Sequence, residues 1–359
     1  MKQVCIVAGA RPNFVKVAPL LRAFRKAEGV QSTLIFTGRQ DDPTVEPSLF
    51  DDLQMPAPDV YLGVDSQSLN EITAQVMSEL DSYFTQHPTD TVIVVDDLAS
   101  TMAAAITAKK RGVKVAHLVA GTRSFDISMP KEINRLVIDA LSDYLFTAGV
   151  KSNSVATREQ QSDTAQTFMV GNILMDTLRY NLPRFRQPST LPLSPSSYLV
   201  LTLNRRVLLA DEAQLGLMLK TLVEESGNLP IVAPLRGQAH DVITKLVHEL
   251  GLPSEKLIVQ DSLPYLEFGW LTAHARGVVT DSGNVAEEAT FNGVPCMTLN
   301  DYTEHQETVT VGTNVLVGSD SEKLRTALRS LLSGEWKHAA LPDRWDGRSA
   351  ERIVQILLS

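Results

Sequence analysis

The amino-acid sequence predicts an α/β protein made of two domains, each a doubly wound parallel sheet, that face each other across a cleft. Three observations predict this fold. The chain has 359 residues, which are too many for one small core. Short, β-branched apolar runs alternate with longer segments of helical period in both halves. A proline-rich stretch interrupts the alternation, which indicates two domains joined by a linker.

The first domain is expected to span residues 1–182 and to begin with a strand at VCIVAG. Helical periodicity follows over 14–27, 99–111 and 132–142. The remaining strands are expected at the apolar runs STLIFTG, TVIVVD, VKVAHLVA and DYLFTA. Because strand and helix alternate, we expect a parallel sheet with its binding loops at the carboxyl ends of the strands.

Residues 183–197 carry four prolines and little periodicity, so we interpret them as the linker. The second domain is expected over 198–359, and its last helix is expected either to stay there or to pack back on the first domain. Its strands are expected at YLVLTL, LPIVAP, KLIVQD, RGVVTDSG, VPCMTLN and TNVLVG. The carboxyl ends of both sheets can then face each other across the cleft.

Charge, cysteine usage and hydropathy exclude several classes of protein. A formal net charge of -9 without a long Lys/Arg block argues against nucleic-acid binding. No stretch approaches the roughly 18 uninterrupted apolar residues of a membrane span. Cys5 and Cys296 lie in separate apolar runs, which is typical of small core residues in a reducing compartment and not of a disulfide or metal pair. We therefore expect a cytoplasmic protein.

The stretch TDSGNVAEEA (280–289) contains the first candidate site. Ser282, Gly283 and Asn284 come where an apolar run gives way to a helix, so backbone amides and the positive end of the helix dipole can hold a phosphate. Glu288 follows about one turn later, where a carboxylate can accept both hydroxyls of a ribose. The alternative is structural, in which Ser282 or the preceding aspartate only caps the helix.

A second candidate loop, GARP (9–12), follows the first strand. Pro12 suits the first turn of a helix, and Arg11 is placed at the edge of the sheet, where it can neutralise a pyrophosphate or stack on a base. Lys16 lies about one turn further along. A basic residue on a solvated helix surface explains Lys16 better than it explains Arg11.

Together these loops carry a resemblance that extends over nearly the whole chain. The sequence resembles the non-hydrolysing UDP-N-acetylglucosamine 2-epimerases, whose two Rossmann-like domains have the GT-B architecture. The order of the motifs is that of the family. The motifs are GARP (9–12), TGRQ (37–40), DDLAST (96–101), HLVAGTR (117–123), PKEINR (130–135), VGN (170–172), LNRR (203–206), TDSGNVAEEA (280–289), NDYTEHQE (300–307) and WDGRSAERI (345–353).

The resemblance implies that a base removes the C2 proton of the sugar while UDP leaves from C1, after which UDP re-adds with protonation on the other face. It implies no metal, no redox cofactor and a homodimer. The catalytic residues it implies are Asp97, Glu132 and Arg135, with His117 as a further candidate. The substrate-binding residues are expected to be Arg11, Lys16, Asn204, Arg205, Arg236, Ser282, Gly283, Asn284, Glu288, Asp301 and His305.

The same residues also have ordinary structural explanations. Glu132 and Arg135 are spaced i,i+3, which suits a helix-surface ion pair as well as a site. Asp97 is a common type of residue at the end of a strand, and a lone histidine such as His117 is often structural. If Asp97 and the adjacent Asp96 both faced the cleft, like-charge repulsion would raise one pKa and supply an acid.

The chain departs from the family at positions that should transfer protons. Val119 stands at a glutamate position and cannot take or give a proton. Asn204 stands at a histidine position and cannot titrate. Gln40 and Arg236 also replace histidines, and His305 replaces an arginine. Val207 replaces a further glutamate.

Three functions are consistent with these losses. The first is epimerisation of UDP-N-acetylglucosamine to UDP-N-acetylmannosamine or of a related UDP-sugar, with Asp97 and Glu132 transferring the protons, or with a slow reaction. The second is a UDP-sugar-binding paralogue with little or no epimerase activity. The third is a hydrolase or glycosyltransferase in which water or an acceptor captures the sugar.

Overall fold

The computed structural model describes residues 1–359 and contains two parallel sheets with their flanking helices. The chain divides into two compact units. The first comprises Met1–Tyr180 with Asp343–Ser359, and the second comprises Asn181–Pro342. No helix is both long enough and apolar enough to cross a lipid bilayer.

The first unit alternates strands and helices along the chain, as the apolar runs predict. Its strands are β1 (Lys2–Ala8), β2 (Val30–Phe36), β3 (Val60–Tyr61), β4 (Thr91–Val95), β5 (Lys114–Leu118), β6 (Tyr144–Thr147) and β7 (Gln166–Met169). Its helices are α1 (Arg11–Lys26), α2 (Pro47–Leu53), α3 (Leu69–Gln86), α4 (Ala99–Lys110), α5 (Pro130–Leu141), α6 (Val150–Glu159) and α7 (Ile173–Asn181), with the last helix of the chain described below.

The seven strands of the first sheet lie in the order β3-β2-β1-β4-β5-β6-β7, and every neighbouring pair is parallel. The strand order changes direction between β1 and β4, which makes this point the topological switch of the sheet. The loops after β1 and β4 begin at residues 9 and 96, so the GARP and DDLAST motifs follow neighbouring strands. In doubly wound sheets, ligands bind at this position.

The second unit repeats the same plan. Its strands are β8 (Leu199–Thr202), β9 (Ile231–Leu235), β10 (Leu257–Asp261), β11 (Gly277–Thr280), β12 (Cys296–Thr298) and β13 (Asn314–Leu316). Its helices are α8 (Arg206–Ala210), α9 (Glu212–Glu225), α10 (Gly237–Glu249), α11 (Tyr265–Ala273), α12 (Gly283–Asn292), α13 (Gln306–Thr310) and α14 (Ser321–Ser333).

The second sheet has the strand order β10-β9-β8-β11-β12-β13, again with parallel neighbours throughout. Its switch point lies between β8 and β11, where Thr202 pairs with Thr280 at the carboxyl ends of the strands. The LNRR and DSG motifs therefore follow neighbouring strands and begin at the same level of the sheet. All six strand runs anticipated for this half are strands in the structure.

The proline-rich residues 183–197, which the sequence predicts to be the linker, pack on the second unit. Leu191 is buried and Leu193 is partly buried against a core cluster that contains Tyr198 and Leu271. The ring of Phe185 lies against Gly269 on α11. These apolar side chains fix the segment on the unit, although its prolines exclude regular secondary structure.

The C-terminal segment belongs with the first unit, where its helix α15 (Ser349–Leu358) packs on α1. Asp176 on α7 accepts hydrogen bonds from the backbone amides of Ser349 at 3.1 Å and Ala350 at 2.8 Å, which satisfies the amino end of α15. Trp345, which is buried, donates from Nε1 to the carbonyl of Ala148 at 3.1 Å. The WDGRSAERI motif therefore attaches the chain end to the first sheet.

The two cysteines lie in separate units, Cys5 on β1 and Cys296 on β12, and both are buried and free. Burial raises the pKa of both thiols, that of Cys296 to about 12. Because the thiolate is the reactive form, both side chains are unreactive core residues, as the sequence predicts.

Candidate active site

The two adjacent aspartates after β4 point to different partners. Asp96 accepts hydrogen bonds from Lys16 Nζ at 2.6 Å and from Asn13 Nδ2 at 2.8 Å. Asp97 accepts from Arg135, whose NH2 lies 2.6 Å and whose Nε lies 2.9 Å from Oδ2. Because each carboxylate has its own cation, repulsion between them does not produce the expected acid, and the pKa of Asp97 is lowered, not raised.

Asp97 is the carboxylate of the first unit that is best placed to react. Burial raises its pKa, but the charges of Lys131 and Arg135 outweigh this and hold the pKa below its ordinary value. The side chain keeps 14% exposure, and Lys131 Nζ, on a side chain that is 66% exposed, lies 3.6 Å from Oδ1. Asp97 is therefore ionised, paired with Arg135 and Lys131, and partly open to solvent.

Lys16 differs from the solvated surface residue that was its structural explanation, whereas its contact with substrate stays a prediction. It is buried, so it is not a solvated surface residue, and its ammonium group is held by Asp96. This ion pair orients the turn between β4 and α4, in which Asp96 adopts a positive φ of 59°. The ammonium group of Lys16 therefore supports the loop that carries Asp97.

Glu132 is committed to the loop that precedes its own helix. Its carboxylate accepts from Ser124 N and Ser124 Oγ, both at 2.9 Å, and from Phe125 N at 3.1 Å. Arg135 NH1 lies 3.2 Å from the same carboxylate. Burial raises the pKa of Glu132, but these hydrogen bonds outweigh it, so the pKa is lowered. The side chain is almost fully enclosed, so Glu132 holds the loop in place, and its catalytic role stays a prediction.

His117 is enclosed within β5 and does not form the start of an exposed loop. Its Nδ1 lies 2.5 Å from Asp139 Oδ1, and its Nε2 lies 3.0 Å from the carbonyl oxygen of Asp96. Both ring nitrogens are therefore engaged by oxygen atoms within the first unit, which fixes the orientation of the ring. These contacts give His117 a supporting position beneath Asp96, and its catalytic role stays a prediction.

The network under His117 extends to the loop that follows β5. Asp139 also accepts from Arg123 NH2 at 2.7 Å and from Gly121 N at 3.0 Å. Arg123 donates from Nε to Glu159 at 2.9 Å. All of these groups except Glu159 are buried, so the loop is fixed by a satisfied polar network within the first unit.

Val119 lies in this loop with a positive φ of 73°. A β-branched residue in that region is strained, because its two γ-methyl groups crowd the backbone. The conformation persists because Val119 N donates to the carbonyl of Phe146 and the buried network holds the residues that follow. The backbone at this position is therefore imposed by its neighbours and not by the valine.

Arg11 lies at the first turn of α1 and donates from Nε to Glu46 at 2.8 Å. A cavity of about 580 Å³ lies beside this turn, at the carboxyl ends of β1, β2 and β4. Its lining combines small residues and polar groups and includes Gly9, Ala10, Gly38, Arg39, Asp42 and Ser100. The first unit therefore has an open space next to GARP that the sequence did not reveal.

In the second unit, Asp281 joins the loops that follow β8 and β11. It is buried, and its Oδ2 accepts from the backbone amides of Asn204 at 2.8 Å and Arg205 at 2.7 Å. This carboxylate therefore fixes the LNRR loop beside the DSG loop. Neither of these hydrogen bonds is made to the amino end of α12, so Asp281 does not act as the cap of this helix.

Ser282 is the N-cap of α12, and Gly283 is the first helical residue. The Ser282 hydroxyl accepts from Val285 N at 3.5 Å, which is at the outer limit of a hydrogen bond. Gly283 and Asn284 are partly exposed, so the first turn presents backbone amides at the surface. The structure is therefore compatible with both explanations of Ser282, as a helix cap and as a phosphate-binding residue.

Glu288 is buried on α12 and makes no hydrogen bond. Burial, with a smaller contribution from the neighbouring Glu287, raises its pKa to about 8. A buried carboxyl without partners is unfavourable, and such groups are common at functional sites. Glu288 is therefore poised to gain hydroxyl partners from a ligand.

The partner of His305 was not predicted from the sequence. The imidazole Nδ1 lies 2.7 Å from Glu287 Oε1. The ring also packs against Gly283, because a Cβ at that glycine would lie 2.8 Å from Cδ2 and 3.0 Å from Nε2 of His305. The adjacent glutamates of the DSG motif thus have different environments, which no sequence pattern distinguishes.

The remaining candidates lie at the same edge of the second sheet or beyond it. Arg205 and Arg236 are exposed N-cap residues of α8 and α10, after the neighbouring strands β8 and β9. Asn204 is exposed beside Arg205. Asp301 instead packs against Gly318, where a Cβ would lie 2.2 Å from its Oδ1, and lines a groove with Asp320. The contact of Asp301 with substrate stays a prediction.

The chain is similar to known proteins over nearly its whole length. The family model described as UDP-N-acetylglucosamine 2-epimerase matches residues 22–358. A UDP-N-acetylglucosamine 2-epimerase of Methanocaldococcus jannaschii is 32% identical over 372 residues, covering 99% of this chain and 98% of the relative. A UDP-2,3-diacetamido-2,3-dideoxy-D-glucuronate 2-epimerase of Pseudomonas aeruginosa is 32% identical over 332 residues, covering 92% of each.

The fold is also similar to solved structures. The crystal structure of the M. jannaschii UDP-GlcNAc 2-epimerase, in complex with UDP-GlcNAc and UDP, superimposes with a TM-score of 0.86 at 31% identity. The superposition covers 100% of this chain and 99% of the other. The GT-B architecture expected from the motifs is therefore confirmed.

Proposed function

Because the chain belongs to the UDP-N-acetylglucosamine 2-epimerase family, we propose that it interconverts UDP-N-acetylglucosamine and UDP-N-acetylmannosamine, or a related pair of UDP-sugars. The reaction proceeds by elimination and re-addition of UDP. One observation carries the proposal, which is the partnerless buried carboxyl of Glu288 behind the exposed first turn of α12. A UDP-sugar can place its ribose hydroxyls against the Glu288 carboxyl and its phosphates against the first turn of α12.

The second unit supplies the groups that hold the nucleotide. The amides of Ser282, Gly283 and Asn284 and the dipole of α12 bind the diphosphate. Glu288 hydrogen-bonds the ribose hydroxyls, which satisfies its buried oxygens. Arg205 and Arg236 add positive charge at the carboxyl ends of β8 and β9.

The first unit supplies the proton transfer. Asp97 takes the C2 proton, the electrons of the C2–H bond form a C1–C2 double bond, and the C1–O bond breaks as UDP leaves with its electron pair. UDP then re-adds at C1 while C2 receives a proton from water on the opposite face, and Asp97 releases the proton that it took to solvent. Arg135 keeps Asp97 ionised and fixes its direction, and Glu132 keeps the neighbouring loop in place.

We expect this reaction to be slow. Val119 and Asn204 cannot titrate, so the acid on the opposite face is not supplied by these positions. A pKa lowered by Arg135 and Lys131 also makes Asp97 a weaker base. Each missing acid–base group typically lowers the rate about 10²- to 10⁴-fold, and such losses are not additive.

Gly283→Ala is expected to weaken UDP binding about tenfold, a loss equivalent to about 1.4 kcal/mol. The added methyl group would lie 2.8 Å from the His305 ring and would occupy the approach of a phosphate oxygen to the helix. Isothermal titration with UDP measures the change. Gly216→Ala on α9 is the matched control, since its Cβ would meet only the flexible end of Leu250 at 3.2 Å. Equal affinities for both variants would contradict this role of Gly283.

The proposed activity is tested by approaching equilibrium from both sides. Separate samples of UDP-N-acetylglucosamine and UDP-N-acetylmannosamine are incubated with the protein and followed by proton NMR. Both should converge on one mixture with UDP bound in the sugar nucleotides throughout. The assay includes UDP-2,3-diacetamido-2,3-dideoxy-D-glucuronate, the sugar nucleotide named for the P. aeruginosa relative.

The same assay separates the two alternative functions. Accumulation of free UDP together with free sugar or a glycoside would identify a hydrolase or transferase. Binding of UDP without turnover would identify a binding paralogue. In that case the double variant Val119→Glu with Asn204→His should gain activity, since it introduces two titratable groups.

We also propose that the protein is a cytoplasmic homodimer that requires no metal or redox cofactor. The free, buried Cys5 and Cys296 support a reducing compartment, and the family resemblance supports the dimer and the chemistry. Light scattering of the purified protein determines the number of subunits. Activity that survives dialysis against a chelator tests the independence from metal.

A further inference from the structure

We propose that Glu287 is a positioning residue that holds the imidazole of His305 in its charged form beside the first turn of α12, so that binding of the UDP diphosphate weakens as the pH rises. This inference rests on the proposed function, since it concerns the same nucleotide-binding loop. It adds a residue that the sequence analysis did not assign and a pH dependence that an arginine at position 305 would not give.

The geometry fixes both sides of the imidazole ring. Nδ1 lies 2.7 Å from Glu287 Oε1, and the side chain of Glu287 is only 3% exposed. Nε2 and Cδ2 lie against Gly283, the first residue of α12. His305 is also the N-cap residue of α13, and its carbonyl accepts from Thr308 Oγ1 at 2.7 Å. The ring is therefore held between a carboxylate and the helix turn assigned to the diphosphate.

The surrounding charges favour the imidazolium form. Glu287 contacts the ring directly, Glu288 follows it on α12, and Glu304 and Glu307 lie next to His305 in sequence. A carboxylate within hydrogen-bonding distance stabilises a positive ring, and the positive end of the α12 dipole opposes it. Glu287 is in direct contact and largely enclosed, so its effect outweighs that of the dipole.

The raised pKa of Glu288 is consistent with this charge distribution. Burial and the charge of Glu287 together raise it to about 8. Glu288 is then largely neutral at pH 7, and Glu287 is the carboxylate that pairs with His305. A neutral Glu288 leaves the positive ring as the charged side chain that faces the diphosphate at this turn.

The direction of the pH effect follows from the ring. Histidine ordinarily titrates near pH 6.5, and a carboxylate partner favours its protonated state at higher pH. The protonated ring attracts a diphosphate, so affinity is highest at low pH and falls as the pH rises through the titration of His305. An arginine at this position would keep its charge throughout.

The experiment measures UDP affinity by isothermal titration from pH 6.0 to 8.5 for the wild-type protein, His305→Arg and Glu287→Gln. UDP itself titrates in this range, so the measured quantity is the ratio of the Kd of each protein to that of His305→Arg at the same pH. For the wild type this ratio should rise about tenfold across the range. For Glu287→Gln the rise should begin at lower pH, because the amide no longer stabilises the charged ring.

Glu224→Gln is the matched control, since it makes the same chemical change on α9, where the side chain is 62% exposed. The ratio of its Kd to that of His305→Arg should change with pH as the wild-type ratio does. Melting temperatures of all four proteins show whether they are folded, and His305→Arg retains a cation for Glu287. A wild-type ratio that does not change with pH overturns the inference while UDP binding itself persists. Absence of UDP binding at every pH overturns the proposed function and the inference with it.

Discussion

Asp97→Asn is expected to lower kcat about 10²- to 10⁴-fold, the usual contribution of one general base. Asparagine has nearly the same shape as aspartate but cannot accept a proton. If Asp97 were only a turn residue at the end of β4, the Asp97→Asn substitution would leave kcat unchanged apart from effects on folding. Conversion of UDP-N-acetylglucosamine measured at saturating substrate distinguishes the two.

Two further variants make this test specific. Asp163→Asn makes the same change at an exposed residue of the first unit and should leave kcat unaltered. Glu132→Gln should lower stability together with activity, because Glu132 holds Ser124 and Phe125 through three hydrogen bonds. If Asp97→Asn retained wild-type kcat while Glu132→Gln lost it without loss of stability, the base would be Glu132 and not Asp97.

Asp139→Ala is expected to lower the free energy of unfolding by about 3–5 kcal/mol, the cost of removing one partner from a buried ion pair. The substitution leaves both His117 and Arg123 buried without their shared carboxylate. It also removes the acceptor of Gly121 N, so the strained loop at Val119 should lose its support. Urea denaturation at pH 7 measures the change.

The effect of Asp139 should depend on pH in a defined direction. Burial raises its pKa, but His117 and Arg123 outweigh this, so the pKa is lowered in the folded state. A lowered pKa stabilises the fold above the ordinary carboxyl pKa of about 4, and this contribution is lost as the pH falls through the folded value. The difference in the free energy of unfolding between the wild type and Asp139→Ala should therefore become smaller at acidic pH. Asp163→Ala, on the surface, should stay within about 0.5 kcal/mol of wild type throughout.

The fold was predictable from the sequence because buried strands and helices have characteristic patterns of apolar residues. Strands enclosed on both faces appear as continuous apolar runs, so β1, β4, β8 and β11 were predicted from residue types alone. Two strands were missed. β3 has only two residues, and β7 (QTFM) has partly exposed positions, so neither gives a run long enough to detect.

The candidate site was predictable only in part. Motif positions at the ends of strands placed Asp97 and Ser282 at the switch points, because parallel strands end at a common edge. Sequence spacing does not specify which donor meets which acceptor across elements. The pairing of His117 with Asp139 joins β5 to α5, and that of Glu287 with His305 joins α12 to the start of α13. These pairings depend on tertiary packing, so the supporting role of His117 and the contribution of Glu287 required the structure.

The central claim is that the protein breaks and re-forms the C2–H bond of a UDP-sugar. It is tested most directly by incubating UDP-N-acetylglucosamine with the protein in heavy water and following the C2 hydrogen by proton NMR. The account predicts that deuterium replaces this hydrogen at least as fast as the epimer forms, and that Asp97→Asn slows both processes equally. A C2 hydrogen that persists for hours at high protein concentration, or an epimer that forms with its original hydrogen, would contradict it.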